Sequence, residues 1–212
     1  MIKKLLLFFC FPIILFAQPF YIENPISSKK VKVQSWKEKR DLNIVKQDYD
    51  YSCGAASVAT LLNNFYGQNI QEKDILDAMQ KQEMAASFYD MQTILPKFGF
   101  IAKGYALSFE ELEKIKIPVI VYLHYRKNNH FSVLEGINNN TVLLSDPSLG
   151  HISMSREQFI QSWHTTNENT AGKILAILPQ HADIQNNSAF FNKNPQRQTK
   201  FTVQYIKQWQ KF

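Results

Sequence analysis

Apolar residues recur at helical spacing from Cys53 to Tyr66: Ala56, Ala59, Leu62 and Phe65 mark one face, with Ala55, Val58 and Leu61 beside them. The spacing predicts a helix over 53–66, with Ser52 as N-cap and Gly67 at its end. A second helix is predicted over Gln71–Lys81 through Ile75, Leu76 and Met79. Ser87 caps a third, whose face carries Met91, Ile94, Leu95 and Phe98 and which Pro96 and Gly99 terminate. A short strand comes next at Phe100–Tyr105, and Ser108 with Glu111 gives a capping box for a helix to Lys116. The pattern then turns to strands. Val119–Leu123 is a dense β-branched run, as in a buried strand. His130–Ile137 and Thr141–Ser145 are two more, joined by Asn138-Asn139-Asn140, a turn composition because Asn tolerates positive φ. Ser155–Trp163 reads as a helix and Lys173–Leu178 as a last strand. Helices first and strands second predict an α+β domain, with the helix that starts at Cys53 packed on an antiparallel sheet.

The flanks differ from this core. Met1-Ile2-Lys3-Lys4 is basic, Leu5–Phe16 is almost unbroken apolar sequence, and Ala17-Gln18-Pro19 comes after it. This is the layout of a secretory signal peptide over 1–17, and the apolar run falls short of the roughly 20 residues a membrane span needs. The expectation is an exported chain, periplasmic or secreted, that meets a membrane only through this segment before cleavage; the alternative is a retained N-terminal anchor. Residues 18–44 read as an extended lead-in with one edge strand at Val31-Lys32-Val33, 45–180 as the domain, and 181–212 as a polar tail rich in Asn, Gln and Lys. Within that tail Phe201–Phe212 is weakly amphipathic.

The 212-residue chain carries a formal charge of +6. That is mildly basic, and its one dense basic run, Lys29–Arg40, reads as a solvated segment, so no nucleic-acid partner is expected. The five histidines do not fall at metal-ligand spacing with acids or cysteine, and no glycine-rich phosphate loop is present, so neither metal nor cofactor is expected. Of the two cysteines, Cys10 lies in the leader. Cleavage after Ala17 leaves Cys53 as the only thiol, unable to form an internal disulfide and suspect as a reactive group.

Chemistry favours that suspicion. A thiolate is the nucleophilic form of cysteine, and a free thiol with pKa of roughly 8.5 is mostly protonated at neutral pH. The positive end of a helix dipole and a nearby imidazole both change this, and Cys53 stands at a predicted helix start. The imidazole in turn needs an orienting group, and the tetrahedral intermediate needs donors aimed at its oxyanion. Antiparallel pairing through Asn138–Asn140 brings the start of one strand, His130, beside the end of the next, Asp146. Gln47, six residues before Cys53, can offer its side-chain amide to an oxyanion together with the backbone N–H of Cys53. His124, His151, His164 and His181 read as structural or surface residues, and Gly54 reads as room for a substrate backbone.

The segments Gln47–Ala56, His130-Phe131-Ser132-Val133-Leu134-Glu135-Gly136 and Asp146-Pro147-Ser148-Leu149-Gly150 resemble the bacteriocin-processing cysteine peptidases, best known as the N-terminal domain of ABC exporters that remove double-glycine leaders. The resemblance spans roughly residues 45–178. It implies a papain-like fold, Cys53 as nucleophile, His130 as general base and then acid, Asp146 as orienter and Gln47 as oxyanion donor. It also implies cleavage of an exported peptide or protein after a small, Gly-Gly-like site, with a separate export system as a possible partner. The chain departs from the family's exporters in being too short for a membrane domain and ATPase, and in its leader, which reads as a free-standing exported member. Two alternatives accompany the thiol endopeptidase: a non-catalytic peptide-binding or chaperone-like module on the same fold, and a thiol acyltransferase or amidase.

Overall fold

A computed structural model describes residues 21–24, 27–80, 84–125, 128–163 and 171–197. The leader over 1–17, His164 and the Phe201–Phe212 segment lie outside the described residues. The described residues fall into two compact units, divided between Lys39 and Arg40. In the first, β1 (Tyr21–Asn24) and β2 (Ser27–Lys32) pair antiparallel. A short helix, α1 (Trp36–Arg40), comes next, and Ser35 and Glu38 cap its start reciprocally. The lead-in is therefore a hairpin and a helical turn rather than an extended run with one strand.

The second unit opens with α2 (Cys53–Tyr66), α3 (Glu72–Met79) and α4 (Phe88–Ile94), which continues as a 3-10 turn over Leu95–Phe98. Then come β3 (Phe100–Leu107), α5 (Phe109–Lys114), β4 (Val119–Tyr125), β5 (Asn128–Ile137), β6 (Thr141–Asp146), β7 (Gly150–Ser155), α6 (Arg156–Trp163) and β8 (Gly172–Pro179). The Ser87 and Ser108 capping boxes both form. The strand β7 escapes the hydropathy pattern, because Gly-His-Ile-Ser-Met-Ser offers little apolar alternation.

Strands order as β3-β8-β4-β5-β6-β7, all antiparallel. One core layer joins α2, through Val58, Leu61, Leu62 and Phe65, to Ile120, Val133, Leu175 and Ile177 of the sheet. A second joins α5 and α6, through Phe109, Leu112, Phe159 and Trp163, to Val121, Leu134, Leu144 and Ile174. Adjacent strand residues serve opposite layers, as a pleated strand dictates. This is the α+β, papain-like arrangement: a helix carrying the cysteine on one face of an antiparallel sheet, with small helices on the other.

A β-bulge interrupts the β5–β6 ladder between Leu134 and Gly136. Beyond it Gly136 faces Leu143; before it Val133 faces Ser145. The extra residue matters because a one-residue shift exchanges the faces of a strand. Continued by one step, the bulged register puts Ser132 opposite Asp146; an unbroken ladder would have put core Val133 there.

Composition alone undersells the segment after β8. In residues 181–197, Asn187 N donates to Phe65 O at the end of α2, Asn192 N to Glu135 O, and Ile137 N to Asn192 O. Phe191 is buried with the second core layer. Gly136 makes this contact possible, since a Cβ there would lie 2.6 Å from Asn192 O. The segment is thus a strap across the domain, anchored at the bulge by backbone hydrogen bonds that polar side chains neither reveal nor oppose.

Candidate active site

Cys53 is the first residue of α2 and is 5 % exposed. Ser52 precedes it as N-cap but makes no side-chain cap bond. Its Oγ donates instead to Tyr49 O at 2.8 Å and accepts from Tyr49 N at 3.2 Å. The hydroxyl therefore closes the turn before the helix and leaves the first-turn amides uncapped by it, at the positive end of the helix dipole. Gly54 serves packing and not substrate access: a Cβ there would lie 2.4 Å from Met91 Cε and 3.3 Å from Phe131 Cδ2. Phe131 in turn packs at 5.2 Å, ring tilted, against both Phe88 and Tyr122, making an aromatic wall beside the helix start.

His130 Nε2 lies 2.8 Å from Asp146 Oδ2. That use of Nε2 leaves Nδ1 as the ring nitrogen available to Cys53, which is near enough to help raise the imidazole's pKa. Asp146 is 1 % exposed, and every partner of its carboxylate is a donor. Ser132 Oγ donates to Oδ2 at 2.5 Å, while Ser148 N and Leu149 N donate to Oδ1 at 2.9 and 2.8 Å. Burial pushes the Asp146 carboxyl up, but the hydrogen bond and charge of His130, with Ser132 and the Leu149 N–H, outweigh it and hold the group below its ordinary value. Burial pulls the His130 imidazole down, yet the hydrogen bonds to Asp146 and Cys53 and their charges raise its pKa to about 9.

A folded pKa raised from 6.5 to about 9 gives stability that is complete below pH 6.5 and lost as pH rises through about 9. An imidazolium that must protonate a leaving group is lost over the same window. Hydrolytic rate is therefore expected to decline as pH rises through about 9. A rate that stayed level to pH of about 10.5, where even a raised imidazole is neutral, would show that the imidazolium is not used.

Gln47 reaches the site from the loop before α2. Its backbone N donates to Pro147 O at 3.2 Å, next to Asp146, and Lys46 Nζ donates to Ser148 O at 2.8 Å. One amide hydrogen of Nε2 goes to Tyr49 O at 3.0 Å, and the second remains for another acceptor. Gln47 Oε1 is buried without a partner. That orientation is chemically consistent, because exchanging N and O would set two oxygens against each other.

Of the other histidines, His151 pairs with Glu135 at 2.7 Å and with Leu42 O at 2.9 Å, and His124 faces Asn129 at 3.2 Å. His181 is exposed. Two participants escaped the sequence reading. Ser132 had a visible signal, a lone hydroxyl inside the apolar run His130–Leu134. Glu72, whose carboxylate holds the loop between Gln47 and Cys53, had none, because at a helix start it reads as an ordinary first-turn acid.

The arrangement is a thiol at a helix start, an imidazole that feels its charge, a carboxylate on the imidazole and an amide on the loop that leads into the helix: equipment for acyl transfer through a thioester. Residues 41–167 match the model of the Peptidase C39 family. The chain is 33 % identical over 162 residues to the probable functional amyloid protease FapD of Pseudomonas fluorescens, covering 73 % of this chain and 69 % of that protein. Among solved structures, a double glycine motif protease from an AMS/PCAT transporter, in complex with the leader peptide, is similar with TM-score 0.55 and 26 % identity, over 64 % of this chain and 90 % of that one. The peptidase domain of Streptococcus ComA shares the fold, with TM-score 0.56 and 21 % identity over 65 % of this chain and 98 % of that domain.

Proposed function

Since this chain belongs to the peptidase C39 family and is a cysteine peptidase acting on peptide bonds, we propose that Cys53 is its nucleophile, His130 its base and then acid, Asp146 the orienter and Gln47 an oxyanion donor. The observation that carries this assignment is the 2.8 Å pairing of His130 with a fully hydrogen-bonded Asp146, on an imidazole whose pKa the neighbouring Cys53 helps to raise. His130 Nδ1 takes the thiol proton. The thiolate adds to the scissile carbonyl carbon, a C–S bond forms, and the π electrons move to oxygen. The Cys53 N–H and the second Gln47 amide hydrogen receive that oxyanion. Collapse breaks the C–N bond as the imidazolium gives its proton to the leaving amine. Water, deprotonated by His130, then attacks the thioester, the acid departs, and the thiol recovers its proton.

The substrate we assign is an exported peptide or protein cut after a small, Gly-Gly-like site. The wall of Phe88, Tyr122 and Phe131 beside the helix start supports it, as does the leader-bound double glycine protease among the similar structures. Export of the chain itself is part of the same reading and rests on the pattern of residues 1–17. The non-catalytic alternative loses its ground in a peptidase whose four site residues are all present.

The test is product mass analysis on a synthetic peptide with one Gly-Gly pair in a polar sequence, alongside the same peptide with Leu in place of the second Gly. Cleavage after the pair, lost on the Leu change and blocked by prior alkylation of the enzyme, is expected. Equal cleavage of both peptides would refute the small-residue specificity.

A further inference from the structure

Glu72 opens α3, away in sequence from every residue assigned above, yet it is 5 % exposed and its carboxylate faces the loop that carries Gln47. Asp48 N lies 3.2 Å from each of its oxygens. The Ser52 hydroxyl lies close enough to the same carboxylate to favour its charged form. Asp48 and Ser52 are the two ends of the turn between Gln47 and Cys53. Within that turn Ser52 Oγ bridges Tyr49 N and O, and Tyr49 O holds the Gln47 amide.

The platform behind Glu72 is rigid. Asn63 of α2 brackets the peptide before α3, accepting from Ile70 N and donating to Ile70 O, each at 2.8 Å. Ile75 is fully buried in the core with α2. Burying a carboxylate costs free energy that only its donors offset. Burial holds the Glu72 carboxyl above its ordinary value, Ser52 and the Asp48 N–H pull against that, and the Asp48 carboxylate adds to it. An acid buried against that penalty, with its bonds directed at one short turn, fixes the turn.

We propose that Glu72 is a positioning residue: by gripping Asp48 N, at the head of the turn that Ser52 closes, it sets the Gln47 amide and the first N–H of α2 where the oxyanion forms. The proposal rests on the oxyanion role of Gln47 given above. It predicts a separation that general damage to the fold does not produce. Attack on a carbonyl develops an oxyanion; alkylation of the thiol by iodoacetamide, which displaces iodide from a saturated carbon, does not. Glu72→Ala should slow the first step and spare the second.

The experiment compares wild type, Glu72→Ala, Gln47→Ala and the double variant, using acetyl-Gly-Gly p-nitrophenyl ester as acyl donor and iodoacetamide as alkylator. Glu72→Ala is expected to lower kcat on the ester about 10- to 100-fold, with alkylation within about twofold of wild type. Gln47→Ala should fall at least as far, and the double variant little further, because both changes act on one donor. Glu72→Gln keeps one acceptor oxygen and should lose less than Glu72→Ala; it carries the comparison if the alanine variant does not melt cooperatively. Wild-type ester turnover in the Glu72 variants, beside a crippled Gln47→Ala, would overturn the proposal alone. Wild-type turnover in Gln47→Ala would overturn the oxyanion reading beneath it. Equal losses in ester turnover and alkylation would reduce Glu72 to a residue of general stability.

Discussion

Replacing Cys53 by Ala is expected to abolish peptide hydrolysis while leaving the fold intact. The loss should be about 10⁶-fold in kcat, the scale seen when a covalent nucleophile is removed from a comparable triad. The fold should survive because the change deletes one sulfur from a position that opens a helix rich in alanine: Ala55, Ala56 and Ala59 already line it. Loss of the sulfur also removes the partner of His130 Nδ1 without touching the bonds that hold Asp146. Product mass analysis on the Gly-Gly peptide and a thermal melt together check this. Hydrolysis by Cys53→Ala at more than about a hundredth of the wild-type rate would assign the chemistry to another group.

The second large effect is expected at Asp146→Asn, a change that keeps the shape of the side chain. Asp146 accepts four hydrogen bonds, two at each oxygen: His130 and Ser132 at Oδ2, Ser148 N and Leu149 N at Oδ1. An asparagine has one oxygen and one NH2, so one pair of donors must face another donor. The backbone N–H groups cannot reverse, so the NH2 turns toward Ser132 and His130. The hydroxyl can rotate and accept. His130 must then present a bare Nε2, which puts its proton on Nδ1, facing Cys53. An imidazole in that tautomer cannot take the thiol proton. A loss of about 10⁴ in kcat is expected, with KM little changed. Activity within about tenfold of wild type would show that the tautomer is not set by Asp146.

Much of this arrangement was legible in the residues themselves. The 3.6-residue spacing over 53–66 located α2 to the residue, because its apolar face meets a sheet along its whole length. The hairpin argument from Asn138–Asn140 brought His130 near Asp146, but it assumed a plain ladder. The bulge before Gly136 changes the register so that Ser132 stands opposite the aspartate, and His130 reaches it from two residues away. A bulge of this kind leaves no mark in hydropathy, since Glu135-Gly136 reads as the end of a strand. Ser52 illustrates the opposite case: the right residue stands at the cap position, but tertiary demand for its hydroxyl at Tyr49 overrides the local motif. The strap over 181–197 was hidden because most of its anchors reach main-chain groups of other elements, which have no sequence signature, and its buried Phe191 stands alone in a polar stretch.

The position of β8 has a consequence for timing. All four site residues lie before residue 147, but β8 sits between β3 and β4 and is their shared neighbour. Until Gly172–Pro179 is available, β3 has no partner strand and β4 has an open edge. The strand of His130 pairs with its neighbours in sequence, but the sheet around it closes only through β3–β8 and β4–β8, pairings far apart in sequence that form slowly and late. A growing polypeptide therefore carries all four proposed site residues well before it carries the strand that completes their scaffold. Latency during synthesis is the expected consequence of that strand order.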